Sequence, residues 1–261
     1  MKLDIYHIDA FAQKVFEGNP AAVCPLDAWI ETELMQKIAH ENNLSETAFF
    51  VKEEDTYRIR WFTPTVEIDL CGHATLASAY VVFEYLKYDE NEIIFNSNSG
   101  ILKVKKEDGK LVMDFPIREI EKCDTPKEIV EAFGKEPVEC YKSINYFIVF
   151  EDEQDVIHAN PNIEILKKLD PSILGVIITS KSKKYDFVNR FFVPNAGINE
   201  DPVTGSIFTE LIPYWSKVLK KKELYAKQVS SRGGEVFCKL KDDRVEIAGY
   251  AIQYLHGEIE V

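Results

Sequence analysis

No stretch of about 18 consecutive apolar residues occurs in this chain, so no membrane-spanning helix is expected. The opening residues, Met1 to His7, lack the apolar core of a secretion signal, and a soluble cytoplasmic protein follows as the expectation. Cysteine is scarce. Cys24, Cys71, Cys123, Cys140 and Cys238 are odd in number, widely spaced and free of any CxxC pair. That argues against a disulfide or zinc framework and fits a reducing compartment. Basic residues are outnumbered, with Lys+Arg 31 against Asp+Glu 44 and a net charge of −13. A phosphate-binding surface needs the opposite balance, so nucleic acid is not an expected partner. Neither GxGxxG nor a P-loop motif occurs, which removes the dinucleotide and nucleotide-triphosphate readings. No low-complexity segment is present.

What is present is a duplication. Arg60-Trp61-Phe62-Thr63-Pro64, Ile68 and Cys71 recur as Arg190-Phe191-Phe192-Val193-Pro194, Ile198 and Asp201. The offset is 130 without a gap, half of the 261 residues. Each copy runs from an aromatic strand through a polar turn into an apolar helix. The chain therefore reads as two halves, 1–118 and 119–261, the first completed by roughly the last ten residues. A cleft between the halves is the expected site.

Periodicity supplies the elements. In the first half, strands are expected at 3–11, 21–25, 47–52, 57–63, 92–96, 100–106 and 110–115. The second half reads as strands at 145–150, 174–179, 187–193, 234–240, 244–248 and 250–255. Helices are expected over 27–41, 72–86, 126–133 and 204–219. The helix from Gly72 is apolar nearly all round, which requires burial on every side. Pro213 should kink the helix from Thr204. The fold class is α+β, each half a strand barrel wrapped around a central apolar helix.

Chemistry concentrates at the duplicated turns. Gly72 and Gly205 stand at helix starts, where free backbone N–H groups and the positive dipole end suit a carboxylate. Ser206, Thr204 and Thr75 could add donors, or Asp201, Thr204 and Ser206 could simply cap a helix. Cys71 and Asp201 occupy equivalent places in the ungapped repeat. His73, at a helix start, reads as a neutral imidazole that donates or relays a proton. Cys71 reads either as a core thiol or as a base, and Cys71 with His73 supplies too few ligands for a metal. Glu46 precedes an apolar strand, where partial desolvation would raise its pKa toward about 6–7 and make it a base. At the 130 offset it faces Val176, so the base is one-sided, which suits a proton shuttle rather than inversion of a stereocentre. Asn19, weakly echoed by Asn145, could hold a carboxylate or orient the base.

Together these residues resemble the PhzF-like family, the phenazine-biosynthesis isomerases and their relatives. The likeness covers nearly the whole chain. It rests on Ile8 to Phe11, Gly18 to Val23, Asn43 to Thr47, Arg60 to Pro64, Cys71 to Thr75, Arg190 to Pro194, Glu200 to Ser206, Pro213 to Trp215, and Gln228 with Arg232 to Gly234. It implies a diaminopimelate epimerase-like fold and a homodimer. It also implies a cofactor-free isomerase acting on a small carboxylate-bearing molecule. Glu46 matches the family's general acid/base, His73, Asp201 and Ser206 its polar site residues, and Gly72 its helix-start glycine. Cys71 departs from the phenazine enzyme itself, which leaves two rivals: an epimerase using Cys71 as one base, and a non-catalytic binding or partner protein.

Overall fold

In the computed structural model, which describes residues 1–261, the chain opens with β1 (Lys2–Ala10), β2 (Asn19–Leu26), α1 (Thr32–Asn42), β3 (Glu46–Glu53) and β4 (Thr56–Phe62). It continues through β5 (Glu67–Ile68), α2 (Gly72–Tyr85), β6 (Glu92–Ser97), β7 (Gly100–Glu107) and β8 (Lys110–Pro116). Next come β9 (Glu121–Lys122), α3 (Lys127–Phe133), β10 (Glu139–Lys142), β11 (Asn145–Val149), α4 (Glu153–Ile157) and α5 (Ile163–Leu166). The last third holds β12 (Gly175–Lys181), β13 (Phe187–Val193), β14 (Ile198–Asp201), α6 (Phe208–Leu219), β15 (Glu223–Gln228), β16 (Gly234–Leu240), β17 (Arg244–Gly249) and β18 (Ala251–Glu260). No helix is long and apolar enough to cross a membrane.

Two compact units result: Met1–Asp114 with Glu246–Val261, and Phe115–Val245. The boundary falls at Asp114 rather than 118, and the returning segment begins at Glu246.

The first unit has the strand order β18-β1-β2-β3-β4-β6-β7-β8, with β5 as a short addition to β4. Pairings β2–β3 and β4–β6 are parallel. The strands pack on α2, whose residues 73–79, 81 and 82 are all buried. A helix with no polar face has no other stable place. Large chains such as Phe49, Phe50, Trp61 and Phe62 are almost completely buried, each contributing about 1.5–3 kcal/mol. The first helix is shorter than its periodicity indicates, starting at Thr32 rather than Asp27. It ends on Asn43, in the left-handed conformation with its N–H on the Ala39 carbonyl, as a terminating asparagine should.

The second unit repeats the plan as β9-β10-β11-β12-β13-β15-β16, with β14 on β13, and again two parallel pairings, β11–β12 and β13–β15. The helix expected from Thr204 begins instead as a 3-10 turn, Gly205–Ile207, and becomes α-helical at Phe208. It continues through Pro213. The Thr209 carbonyl, which Pro213 has no N–H to satisfy, accepts the backbone N–H of Arg118 at 3.2 Å.

The duplication is real but not ungapped. Arg60 clamps Glu67, seven residues on, with two bonds of 2.7 Å. Arg190 clamps Glu200, ten residues on, at 2.6 and 2.8 Å. Trp61 pairs with Ile68 on the ladder, and Phe191 with Asp201. The 3-10 turn Pro194–Ala196, closed by Gly197, accounts for the additional residues. The equivalence of Cys71 with Asp201 is therefore corrected: Asp201 occupies the rung of Ile68, and Cys71 corresponds to Thr204, since each immediately precedes its helix. The partner of Glu46 shifts too. Ala48 lies opposite Trp61 and Ile177 opposite Phe191, so Glu46 matches Gly175 and not Val176.

Candidate active site

Three local decisions assemble a polar cluster in the first unit. The loop after β1 turns back at Gly18, where φ is +69° and any Cβ would overlap the Ala10 carbonyl. Asn19 is thereby delivered, fully buried, as the first residue of β2. Glu46 opens β3 beside it, across from Ala21. Cys71 is the extended residue before α2, and His73 is the second residue of that helix.

The side chains lie in a connected chain of contacts. Glu46 Oε2 lies 3.1 Å from His73 Nε2, their side chains 15% and 5% exposed. His73 Nδ1 lies 3.2 Å from Asn19 Nδ2 and 3.5 Å from Cys71 Sγ. Ser45 Oγ donates to Asn19 Oδ1 at 3.5 Å. The Glu46–His73 contact is close but misaligned, so neither Glu46 Oε2 nor His73 Nε2 has a well-formed hydrogen bond. Catalytic pairs often tighten only around a substrate.

Electrostatics bear on the expected neutral ring of His73. Burial acts to lower the His73 pKa, but its contacts with Cys71 and with the Glu46 carboxylate outweigh it and raise the pKa well above its ordinary value. An adjacent carboxylate opposes the helix dipole, so the ring takes up a proton more readily than a helix start alone implies. Burial, then the charge of Glu46, pushes the Cys71 thiol up, which keeps it protonated.

The cluster also bears on metal binding. One ligand atom each from Glu46, Cys71 and His73 lie within 4.8 Å of one another, one donor more than Cys71 and His73 supplied in the sequence. His73 turns Nε2 to Glu46 and Nδ1 to Cys71 and Asn19.

In the second unit, the turn carrying Asp201, Gly205 and Ser206 is held by Gln228, which is fully buried. Gln228 Nε2 donates to the Asp201 carbonyl at 2.7 Å, while Gln228 Oε1 accepts the Thr204 N–H at 3.0 Å and Asn189 Nδ2 at 3.2 Å. Thr204 Oγ1 donates to the Asp201 carboxylate. No side chain caps the helix start at Gly205, and none caps the one at Gly72. Asn189 has no sequence signal beyond lying in a strand, and Gln228 appears only within the family likeness. A buried carboxylate was also missed. Glu210, on the first turn of α6, accepts Ser143 Oγ at 2.8 Å and Asn145 Nδ2 at 3.0 Å. Burial nevertheless raises its pKa, opposing those bonds and Arg118.

A family profile described as phenazine biosynthesis-like protein matches residues 8–257. A protein of Pseudomonas aeruginosa named an uncharacterized isomerase is 47% identical over 261 residues, with 100% of both chains covered. The crystal structure of a PhzF-family phenazine biosynthesis protein from Enterococcus faecalis superposes with a TM-score of 0.98 at 47% identity, again covering 100% of both. A hydroxyproline epimerase of Agrobacterium vitis shares the fold, with a TM-score of 0.63 at 10% identity over 99% of this chain and 92% of that one. This chain belongs to the PhzF-like, phenazine biosynthesis-like family, and its fold is the epimerase-like one.

Proposed function

We propose that this protein is a cofactor-independent isomerase that moves a proton on a small carboxylate-bearing metabolite. The observation that carries the reading is the buried Glu46–His73 pair, 3.1 Å apart and without an aligned hydrogen bond. Glu46 removes a carbon-bound proton and returns it to another carbon of the same molecule. His73 donates to the oxygen on which negative charge develops. Asn19 and Cys71 hold the imidazole in place from its Nδ1 side. Backbone N–H groups at Gly72-His73 bind the carboxylate, Gly205 and Ser206 are assigned to substrate binding, and Asp201 hydrogen-bonds the substrate and stabilises developing charge. The 47%-identical relative named an isomerase supports the reaction class. A homodimer in the cytoplasm belongs to the same reading, and a monomer mass in solution would remove the dimer from it.

The test is mass spectrometry of cyclic and acyclic amino and hydroxy acids incubated with the protein in D₂O. Wild type is expected to label one compound at a carbon-bound position. Glu46→Gln should lose about 10²–10⁴ of that rate. Asp201→Asn should label the same position but need more substrate. A Glu46→Gln variant within a few-fold of wild type would end the assignment of Glu46.

A second reading makes Cys71 a base, because its sulfur lies 3.5 Å from His73 Nδ1. The raised thiol pKa argues against it. Cys71→Ser is expected to stay within a few-fold of wild type in the exchange assay. A loss comparable to that of Glu46→Gln would favour the epimerase reading.

A further inference from the structure

Apart from the proposed site, the second unit holds a pair of thiols that the reaction does not use. Cys123 Sγ and Cys140 Sγ are 3.5 Å apart. Their closeness is built into the sheet. β9 and β10 are antiparallel, with Lys122 opposite Tyr141, so the next rung sets Cys123 opposite Cys140. The Cys123 N–H donates to the Cys140 carbonyl at 3.0 Å. Directly opposed residues of an antiparallel pair have Cα atoms about 4.5–5.5 Å apart, inside the range of roughly 4.4–6.8 Å that a disulfide accepts. The sulfurs need approach by only about 1.5 Å to reach bonding distance.

Access selects the same pair. Cys24, Cys71, Cys140 and Cys238 are buried, and Cys123 is the one partly exposed thiol. A disulfide in solution can therefore reach Cys123 first, and Cys140 is the thiol placed to resolve what forms there. Burial, followed by contact with Cys123, pushes the Cys140 thiol up to about 12, so Cys140 attacks only after giving up its proton.

We propose that Cys123 and Cys140 form a redox-active dithiol that closes to a cross-strand disulfide by exchange with a small-molecule disulfide such as oxidised glutathione. The Cys123 thiolate attacks one glutathione sulfur, forming a mixed disulfide and releasing the first glutathione as thiolate. Cys140 then gives up its proton and attacks the Cys123 sulfur, releasing the second. The two protein thiols are oxidised, one glutathione disulfide is reduced to two thiols, and two protons pass to water or to those thiolates. The product closes a loop around α3, which restricts the unfolded chain.

The folded, full-length protein, equilibrated in buffers of increasing oxidised-to-reduced glutathione ratio, trapped with acid and mapped after trypsin, tests this. The expected product joins peptide 123–127 to peptide 136–142 with the loss of two hydrogens, while Cys24, Cys71 and Cys238 stay free. Cys140→Ser should instead accumulate glutathione on Cys123, and Cys123→Ser should yield neither species. The oxidised wild type should melt a few degrees higher than the reduced form, and that difference should vanish in Cys123→Ala. Overturning results are equally definite: glutathione retained on Cys123 of the wild type without the crosslink, no product even in fully oxidised buffer, or a crosslink that forms only once the chain is unfolded in guanidinium.

Discussion

At the head of β3 the first unit places Glu46, and at the matching rung of β12 the second places Gly175. The neighbours explain why the second position holds no side chain. A Cβ on Gly175 would lie 2.5 Å from Val193 Cγ1 and 2.6 Å from the Phe192 carbonyl oxygen. In the first unit the same rung is open enough to hold a carboxylate that is 15% exposed. The helix starts diverge in the same way. Cys71 and His73 precede and open α2, where Thr204 and Ser206 stand in the second unit. One unit thus collects titratable groups around an imidazole, and the other uses neutral amides, Asn189 and Gln228, to hold a turn. A duplicated scaffold supplies position, and chemistry comes from which copy has room for a charged side chain.

The sharpest way to break this comparison is Glu46→Gln. It removes the only carboxylate of the cluster and should cost about 10²–10⁴ in deuterium exchange, with the urea midpoint little changed. Gln228→Leu tests the other unit. It strands the Thr204 N–H and the Asp201 carbonyl, and about 2–4 kcal/mol of stability should be lost in denaturant unfolding. Gly175→Ala asks whether the matching rung is truly full. Overpacking should cost about 1–3 kcal/mol, and a neutral result would show that the second unit could have carried a base there.

Glu210 gives the smallest effect, and its sign is set by the direction of its shift. Its folded pKa is raised, so as pH climbs past the ordinary carboxylate value the unfolded chain ionises before the folded one. Stability is then lost progressively until the folded pKa is passed, and below the ordinary value there is no effect. Glu210→Gln should flatten that decline in a series of unfolding curves from acid to neutral pH. An unchanged slope would show that Glu210 is not its source.

Much of this was legible in the chain. The strands expected at 187–193 and 234–240 coincide with β13 and β16 at both ends, because aromatic and alternating runs there meet turn residues abruptly. The start of α2 was read at Gly72 for a similar reason. β10, β14 and β15 were not foreseen. The first two have four residues each, too few for a period, and β15 mixes Lys227 and Glu223 with its buried Leu224 and Ala226. Of the site, Glu46, His73, Cys71 and Asn19 were each singled out, but their mutual distances were not accessible. Asn189, Gln228 and Glu210 are ordinary polar residues in a sequence and become distinctive only when burial forces each to find a partner.

The sequence by itself determined that the chain is duplicated, that each copy buries an apolar helix behind strands, and that polar turns lead into those helices. These follow from local patterns, because burial of an apolar period is a local demand. Only the tertiary structure decided which residues correspond between the copies. The turn inserted at Pro194–Ala196 shifts the register while leaving the flanking motifs intact. The direction in which the His73 pKa moves was likewise set by the fold. It depends on the approach of Glu46, 27 residues away in the chain, and a pKa responds to distance through space rather than along sequence.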